Sequence, residues 1–96
     1  EGLERVLSSL RKYHKPIYIT ENGIADARDL KREKFIKDHL YYLHRAIEQG
    51  TDVRGYLHWS LIDNFEWEKG FGPRFGLIEI DREDFLKRRV RYSAIK

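Results

Sequence analysis

The sequence predicts an α/β fold whose strands pair in parallel through a helical crossover. Three observations carry this expectation. Apolar residues recur at spacings of three and four in a short segment near the start and again in a stretch about five turns long. Two runs rich in β-branched and aromatic residues are bounded by proline, glycine and polar clusters. The order of these segments is helix, strand, long helix, strand.

The first helix is expected over residues 2–13, where Leu3, Val6, Leu7 and Leu10 share one face; His14-Lys15-Pro16 breaks it. Ile17 to Thr20 forms the first strand, and residues 24–29 a loop. From Leu30 to Gln49 the apolar positions Phe35, Ile36, Leu40, Leu43, Ala46 and Ile47 define an amphipathic helix. Gly50 stands where a left-handed C-terminal cap belongs. Val53 to Leu61 is the second strand, residues 62–74 a loop rich in aromatic and charged residues, and Phe75 to Asp81 a third extended run. Arg82-Glu83-Asp84 turns that run back on itself. Arg91 to Lys96 reads as the start of a helix.

A chain of 96 residues is one domain or part of one. Lys plus Arg is 19 against 16 for Asp plus Glu, so the net charge of +3 is small and no basic stripe marks a nucleic-acid site. The interleaved charges of Arg28-Asp29-Leu30-Lys31-Arg32-Glu33-Lys34 read as a solvated helix face. Apolar runs fall far short of the ~20 residues of a membrane span, and the start carries no signal-peptide pattern. Cysteine is absent, which removes disulfide and thiolate-metal chemistry and suits a cytoplasmic protein. Methionine is also absent, so the sequence reads as a piece of something longer. High charge without Cys or Met leans toward a heat-adapted source.

Strands joined by helices present their C-terminal ends at one edge of the sheet, where ligands bind. Glu21 ends the first strand, Trp59 and Ser60 end the second, and Glu66 and Trp67 follow in the next loop. Two carboxylates and two indoles therefore reach one edge. A sugar ring needs aromatic plates for its C–H faces and charged acceptors for its hydroxyls, and His58-Trp59-Ser60-Leu61-Ile62-Asp63-Asn64-Phe65-Glu66-Trp67 holds both. A single Trp on a strand is ordinarily core, and a single Glu at a strand end ordinarily caps a turn. From the residues alone Glu21 is either such a cap or a nucleophile or acid/base group.

Three motifs in order decide between these. Tyr18-Ile19-Thr20-Glu21-Asn22-Gly23, then Trp59 to Trp67, then Gly70-Phe71-Gly72-Pro73-Arg74-Phe75-Gly76-Leu77 resemble glycoside hydrolase family 1, and within it the β-glucosidases and β-galactosidases of archaeal type. The resemblance implies the last two βα units of a (β/α)8 TIM barrel, with residues 1–96 as the C-terminal part of a single catalytic domain. It implies hydrolysis of β-glycosides with retention. Glu21 would be the catalytic nucleophile, and Glu66, Trp59, Trp67 and Phe75 would bind substrate. Glu66 would hold hydroxyls of the non-reducing sugar, with Trp67 in the same subsite. Trp59 would lie under the sugar near the scissile bond and Phe75 beside the pocket. No metal or redox cofactor is implied.

Retention needs a second carboxyl about 5–5.5 Å from the nucleophile. In the family this acid/base glutamate lies in an Asn-Glu-Pro motif on an earlier strand, and no such motif occurs here; the only prolines are Pro16 and Pro73. A barrel of this kind takes about 250 residues. The chain alone is therefore expected to be inactive and to need the N-terminal portion of the barrel, in the same or a companion chain, with a β-glycoside or oligosaccharide as substrate. A non-catalytic carbohydrate-binding module and a self-assembling half-barrel scaffold are the competing readings. Glu66 would repel a phosphate dianion, so unphosphorylated sugars are favoured; gluco, galacto, fuco and manno configurations are not separated. Asn22 and Gly23 are expected to shape the turn after Glu21, Asp63 and Asn64 to fix the loop that aims Glu66, and Arg74 to anchor it by an ion pair. His58 should face away from the barrel interior, and His14, His39 and His44 carry no ligand pattern.

Overall fold

The computed structural model describes residues 1–96. Helix α1 spans Gly2–Leu10 and continues as one 3-10 turn, Arg11–Tyr13, before His14 reverses the chain in the left-handed region at φ 51°. Strand β1 runs Ile17–Asn22, helix α2 Arg32–Glu48 and strand β2 Val53–His58. β1 and β2 pair in parallel, with Ile17 opposite Val53 and Asn22 opposite His58. This is the helix-linked parallel pair that the apolar spacing predicts. α1 packs on α2, and Arg11 donates to the Gln49 carbonyl at the far end of α2.

Gly50 closes α2 at φ 98°. Its N–H donates to Ile47 O at 2.9 Å and the Thr51 N–H to Ala46 O at 3.0 Å, the paired bonds of a Schellman cap. On the solvent side of α2, Lys37–Glu33 and Lys34–Asp38 pair at the i,i+4 spacing.

Several boundaries differ from the sequence expectation. β2 stops at His58 rather than Leu61, because the chain turns after Trp59 to pair with another partner. The Trp59–Ser60 peptide bond is cis. Ser60 N–H donates to Phe75 O, Leu77 N–H to Ser60 O and Ile78 N–H to Leu61 O, at 3.2, 2.9 and 2.8 Å. Of the extended run at 75–81, only Ile78–Ile80 is strand β3; it turns back at 82–84 as expected and pairs antiparallel with β4, Arg88–Val90. The helix expected from Arg91 is a single 3-10 turn, Tyr92–Ala94.

The charged run at 28–34 also departs from expectation. Arg32 is 0% exposed. Its guanidinium donates to Asp29, and its Nη2 to the carbonyls of Asp26 and Arg74 at 2.8 Å each. Asp29 in turn accepts from the Ser93 N–H at 2.9 Å and the Ser93 hydroxyl at 2.5 Å. The signal was present in the sequence: Arg32 stands three, four and seven residues before Phe35, Ile36 and His39, on the inward stripe of α2.

The apolar core is small. Leu7, Ala46 and Ile80 are the only buried hydrophobic residues, while Tyr18, Leu57, Leu61 and Phe65 are all more than half exposed. The radius of gyration is 15.5 Å, against about 12.5 Å for a compact domain of this length. Both strands of the β1–β2 sheet are edges, and the face away from α1 and α2 is uncovered.

Candidate active site

The cleft lies where β1 and β2 end. It is about 360 Å³ in volume and is lined by Glu21, Asn22, Gly23, Trp59, Glu66 and Phe75. Glu21 is the penultimate residue of β1 and is exposed. Beyond the last strand pair, the Trp59 N–H donates to Asn22 O at 2.9 Å, which carries the parallel ladder one step further and sets Trp59 beside the turn at Gly23. That approach requires glycine: a Cβ on Gly23 would stand 1.7 Å from the Trp59 carbonyl oxygen. Asn22 is fixed from the neighbouring strand, where the Tyr56 hydroxyl donates to its Oδ1 at 2.9 Å. Partial burial raises the Tyr56 phenol above its ordinary value of 10.0.

Glu66 enters from the loop after β2. Its N–H donates to Gly70 O at 2.7 Å and its carbonyl accepts from Lys69 N–H at 2.9 Å, so a tight turn holds its backbone from both sides. The Trp59 indole Nε1 donates to Glu66 Oε1 at 3.4 Å, a long bond. Phe65 meets Phe71 edge to face with centroids 5.2 Å apart, and the Arg82 guanidinium lies 3.6 Å over the Phe71 ring. These contacts brace the loop from outside the cleft.

Phe75 enters from the segment paired with Ser60, whose N–H donates to Phe75 O at 3.2 Å. Of the five residues the sequence singled out, Glu21, Trp59, Glu66 and Phe75 meet in one cleft. Trp67 does not join them; it opens the 3-10 turn Trp67–Lys69 and is 84% exposed. His58 points to the other side of β2, toward Ile36 and Leu40 of α2, as the strand alternation predicts. Burial, with the Arg32 charge, lowers its pKa below 6.5.

Behind the cleft sits a group that sequence reasoning placed only in outline. The Asp63 side chain is 0% exposed and that of Arg91 4%. Asp63 Oδ1 accepts from Gly76 N–H at 2.9 Å and from Arg91 Nη1 at 2.9 Å. Its Oδ2 accepts from Arg91 Nη2 at 3.1 Å, Arg74 Nη1 at 3.3 Å and, at 3.4 Å, Ile80 N–H. Burial pushes the carboxyl up, but the bonds from Arg91 and from the Gly76 and Ile80 amides, with the Arg91 charge, outweigh it and hold Asp63 below 3.8. Arg74 also donates to Ile80 O at 2.9 Å, so it anchors the loop as expected. Nothing in the local pattern around Arg91 announced its part.

The model of glycosyl hydrolase family 1 matches residues 1–95. The chain belongs to glycosyl hydrolase family 1. Among curated members of the family, the β-galactosidase of Saccharolobus solfataricus is 55% identical over 82 residues, 84% of this chain and 17% of that protein. The β-galactosidase of Sulfolobus acidocaldarius is 52% identical over 98 residues, 99% of this chain and 19% of that protein. Among solved structures, the β-glycosidase from Pyrococcus horikoshii superposes with a TM-score of 0.90 at 54% identity, over 97% of this chain and 22% of its own. The hyperthermophilic β-glucosidase from Pyrococcus furiosus gives 0.93 at 49% identity, over 98% and 20%. The chain thus spans about a fifth of the length of these relatives, and its fold is that of part of a family 1 barrel. No helix in it is long and apolar enough to cross a membrane.

Proposed function

We propose that this chain supplies the nucleophile-bearing part of a retaining β-glycosidase. Residues 1–96 are the C-terminal part, the last two βα units, of a single catalytic (β/α)8 barrel. The observation that carries the reading is the convergence of Glu21, Trp59, Glu66 and Phe75 on one cleft at the C-terminal end of the parallel strands, the end at which such barrels do chemistry. Glu21 attacks the anomeric carbon of a terminal, unphosphorylated β-D-glycoside. The C–O bond to the aglycone breaks as the leaving oxygen takes a proton from an acid on the N-terminal strands. Water, deprotonated by that same group, then displaces Glu21 and frees the sugar. Glu66 accepts from sugar hydroxyls, and the Trp59 and Phe75 rings cover its apolar faces. The resemblance gives Trp67 to the same subsite, although it opens a 3-10 turn outside the cleft and is 84% exposed.

The bare sheet face, the thin core and the extended shape support the second part of the reading: the chain alone does not hydrolyse glycosides and works within the complete barrel. For the test, the barrel is completed with the matching N-terminal portion of the Sulfolobus acidocaldarius β-galactosidase, which is 52% identical to this chain over 98 residues. In it, a 2-fluoroglycoside should label Glu21, as read by peptide mass spectrometry. Glu21→Gln should lower turnover by about three orders of magnitude or more with the fold intact. A label on any other residue, or brisk hydrolysis by the 96-residue chain alone, would refute the proposal.

A further inference from the structure

We infer that Asp63 and Arg91 are positioning residues that set the distance between the two walls of the sugar cleft, a role that rests on the function proposed above. The two walls are Glu66, three residues after Asp63, and Phe75, which immediately precedes Gly76. The pair grips Gly76 at both of its polar atoms. Asp63 Oδ1 accepts from the Gly76 N–H at 2.9 Å, and Arg91 Nη1 donates to the Gly76 carbonyl at 2.7 Å while also holding Asp63 Oδ1 at 2.9 Å. Asp63, Gly76 and Arg91 thus close a small ring of bonds. Gly76 has no slack within it, since a Cβ there would lie 2.3 Å from the Asp63 amide nitrogen and 2.5 Å from Ile78 O.

The ring is tied to the sheet as well. The Arg91 N–H donates to Leu77 O and the Asp63 N–H to Ile78 O, at 2.9 and 3.1 Å. All three ring members are buried, so the bonds are held in a low dielectric and are short of competing water. The stem of the Glu66 loop and the stem of Phe75 therefore move as one body, referenced to a carboxylate that never touches substrate. A guanidinium suits this task because its planar fork donates to two carboxylate oxygens and one carbonyl together; an ammonium keeps the charge but cannot hold that geometry.

The consequence is specific. If the pair positions Glu66, weakening it removes the benefit of the sugar hydroxyls that Glu66 accepts from. If it only stabilises the fold, all substrates suffer alike. The test uses the complete barrel with 4-nitrophenyl β-D-glucoside and its 4-deoxy and 6-deoxy analogues, and compares the parent protein with Arg91→Lys and Asp63→Asn. Each assay is run at a temperature where circular dichroism shows the variant native. Glu66→Ala serves as the reference for full loss of the hydroxyl contacts.

The expected result for Arg91→Lys is a roughly tenfold to hundredfold fall in kcat/KM on the parent glucoside, but less than about threefold on the deoxy analogue that Glu66→Ala also fails to distinguish. Asp63→Asn should behave in the same way. Equal losses on all three substrates overturn the assignment, as does the failure of both variants to fold at any temperature, which reduces the pair to a stability element. If Glu66→Ala itself leaves the hydroxyl preference intact, the role given to Glu66 falls and the positioning role falls with it. If Glu66→Ala abolishes the preference and the pair variants do not, only the positioning role is lost.

Discussion

Gly23 and Trp59 touch through their backbones, with the space for a Gly23 side chain already taken by the Trp59 carbonyl oxygen 1.7 Å away. The turn that follows Glu21, the proposed nucleophile, and the Trp59 side of the cleft are thereby placed by one contact. Gly23→Ala must move Trp59, since no flexible side chain is there to give way. We expect kcat/KM of the complete barrel on an aryl β-glucoside to fall by about tenfold to hundredfold, with KM rising as the ring surface shifts. Unchanged kinetics in a folded Gly23→Ala protein would show that Trp59 is not where the sugar lies.

The Asp63 carboxyl gives the fold an acid-sensitive joint. Its native pKa lies below the 3.8 of an unpaired carboxyl, so the unfolded chain binds the proton more readily. The stabilisation is present in full above about pH 4 and is lost as pH falls toward the native value. Urea midpoints measured downward from pH 5 should decline, and Asp63→Asn should flatten that decline even though it lowers stability overall. A variant that keeps the parent's full acid dependence would place the responsible carboxylate elsewhere.

Tyr56 bears on the site through Asn22. Tyr56→Phe leaves the Asn22 amide without its 2.9 Å donor and should cost about 1 kcal/mol of stability, read from urea denaturation. Because Asn22 adjoins Glu21, the reactivation rate of the fluoroglycosyl enzyme should also change. A loss of stability with unaltered reactivation would confine Tyr56 to packing.

Much of this architecture was legible because its causes are local. Leu3, Val6, Leu7 and Leu10 mark α1 by spacing alone, and Gly50 caps α2 because only a residue at ease at positive φ closes that pair of bonds. Glu21, Trp59 and Glu66 could be brought together from the rule that parallel strands share an edge. What stayed hidden depends on contacts far apart in sequence. The Asp29–Ser93 bonds and the Asp63–Arg91 pair join residues 64 and 28 positions apart in the chain. A charged residue gives no local sign that it will be buried, except where, as at Arg32, it falls on the apolar stripe of its own helix. β2 ends early for a related reason: the stretch after His58 has strand character, and it spends that character on Phe75 and Leu77 instead of on β1. The family resemblance implies Trp67 in the subsite of Glu66, yet a 3-10 turn that opens at positive φ sends these adjacent side chains in different directions.

The excursion from Asn64 to Phe75 leaves and returns at the same buried carboxylate. A loop closed by its own feet can change length cheaply, because each doubling of such a segment costs only about 0.6 kcal/mol in closure entropy. Residues added between Gly72 and Pro73, beyond the turn that Gly70 closes on Glu66 and before the Arg74 anchor, would alter what stands at the rim without disturbing the floor. Evolution, or an engineer, could therefore reshape the mouth of the cleft by splicing at this one point while Glu66 keeps its place.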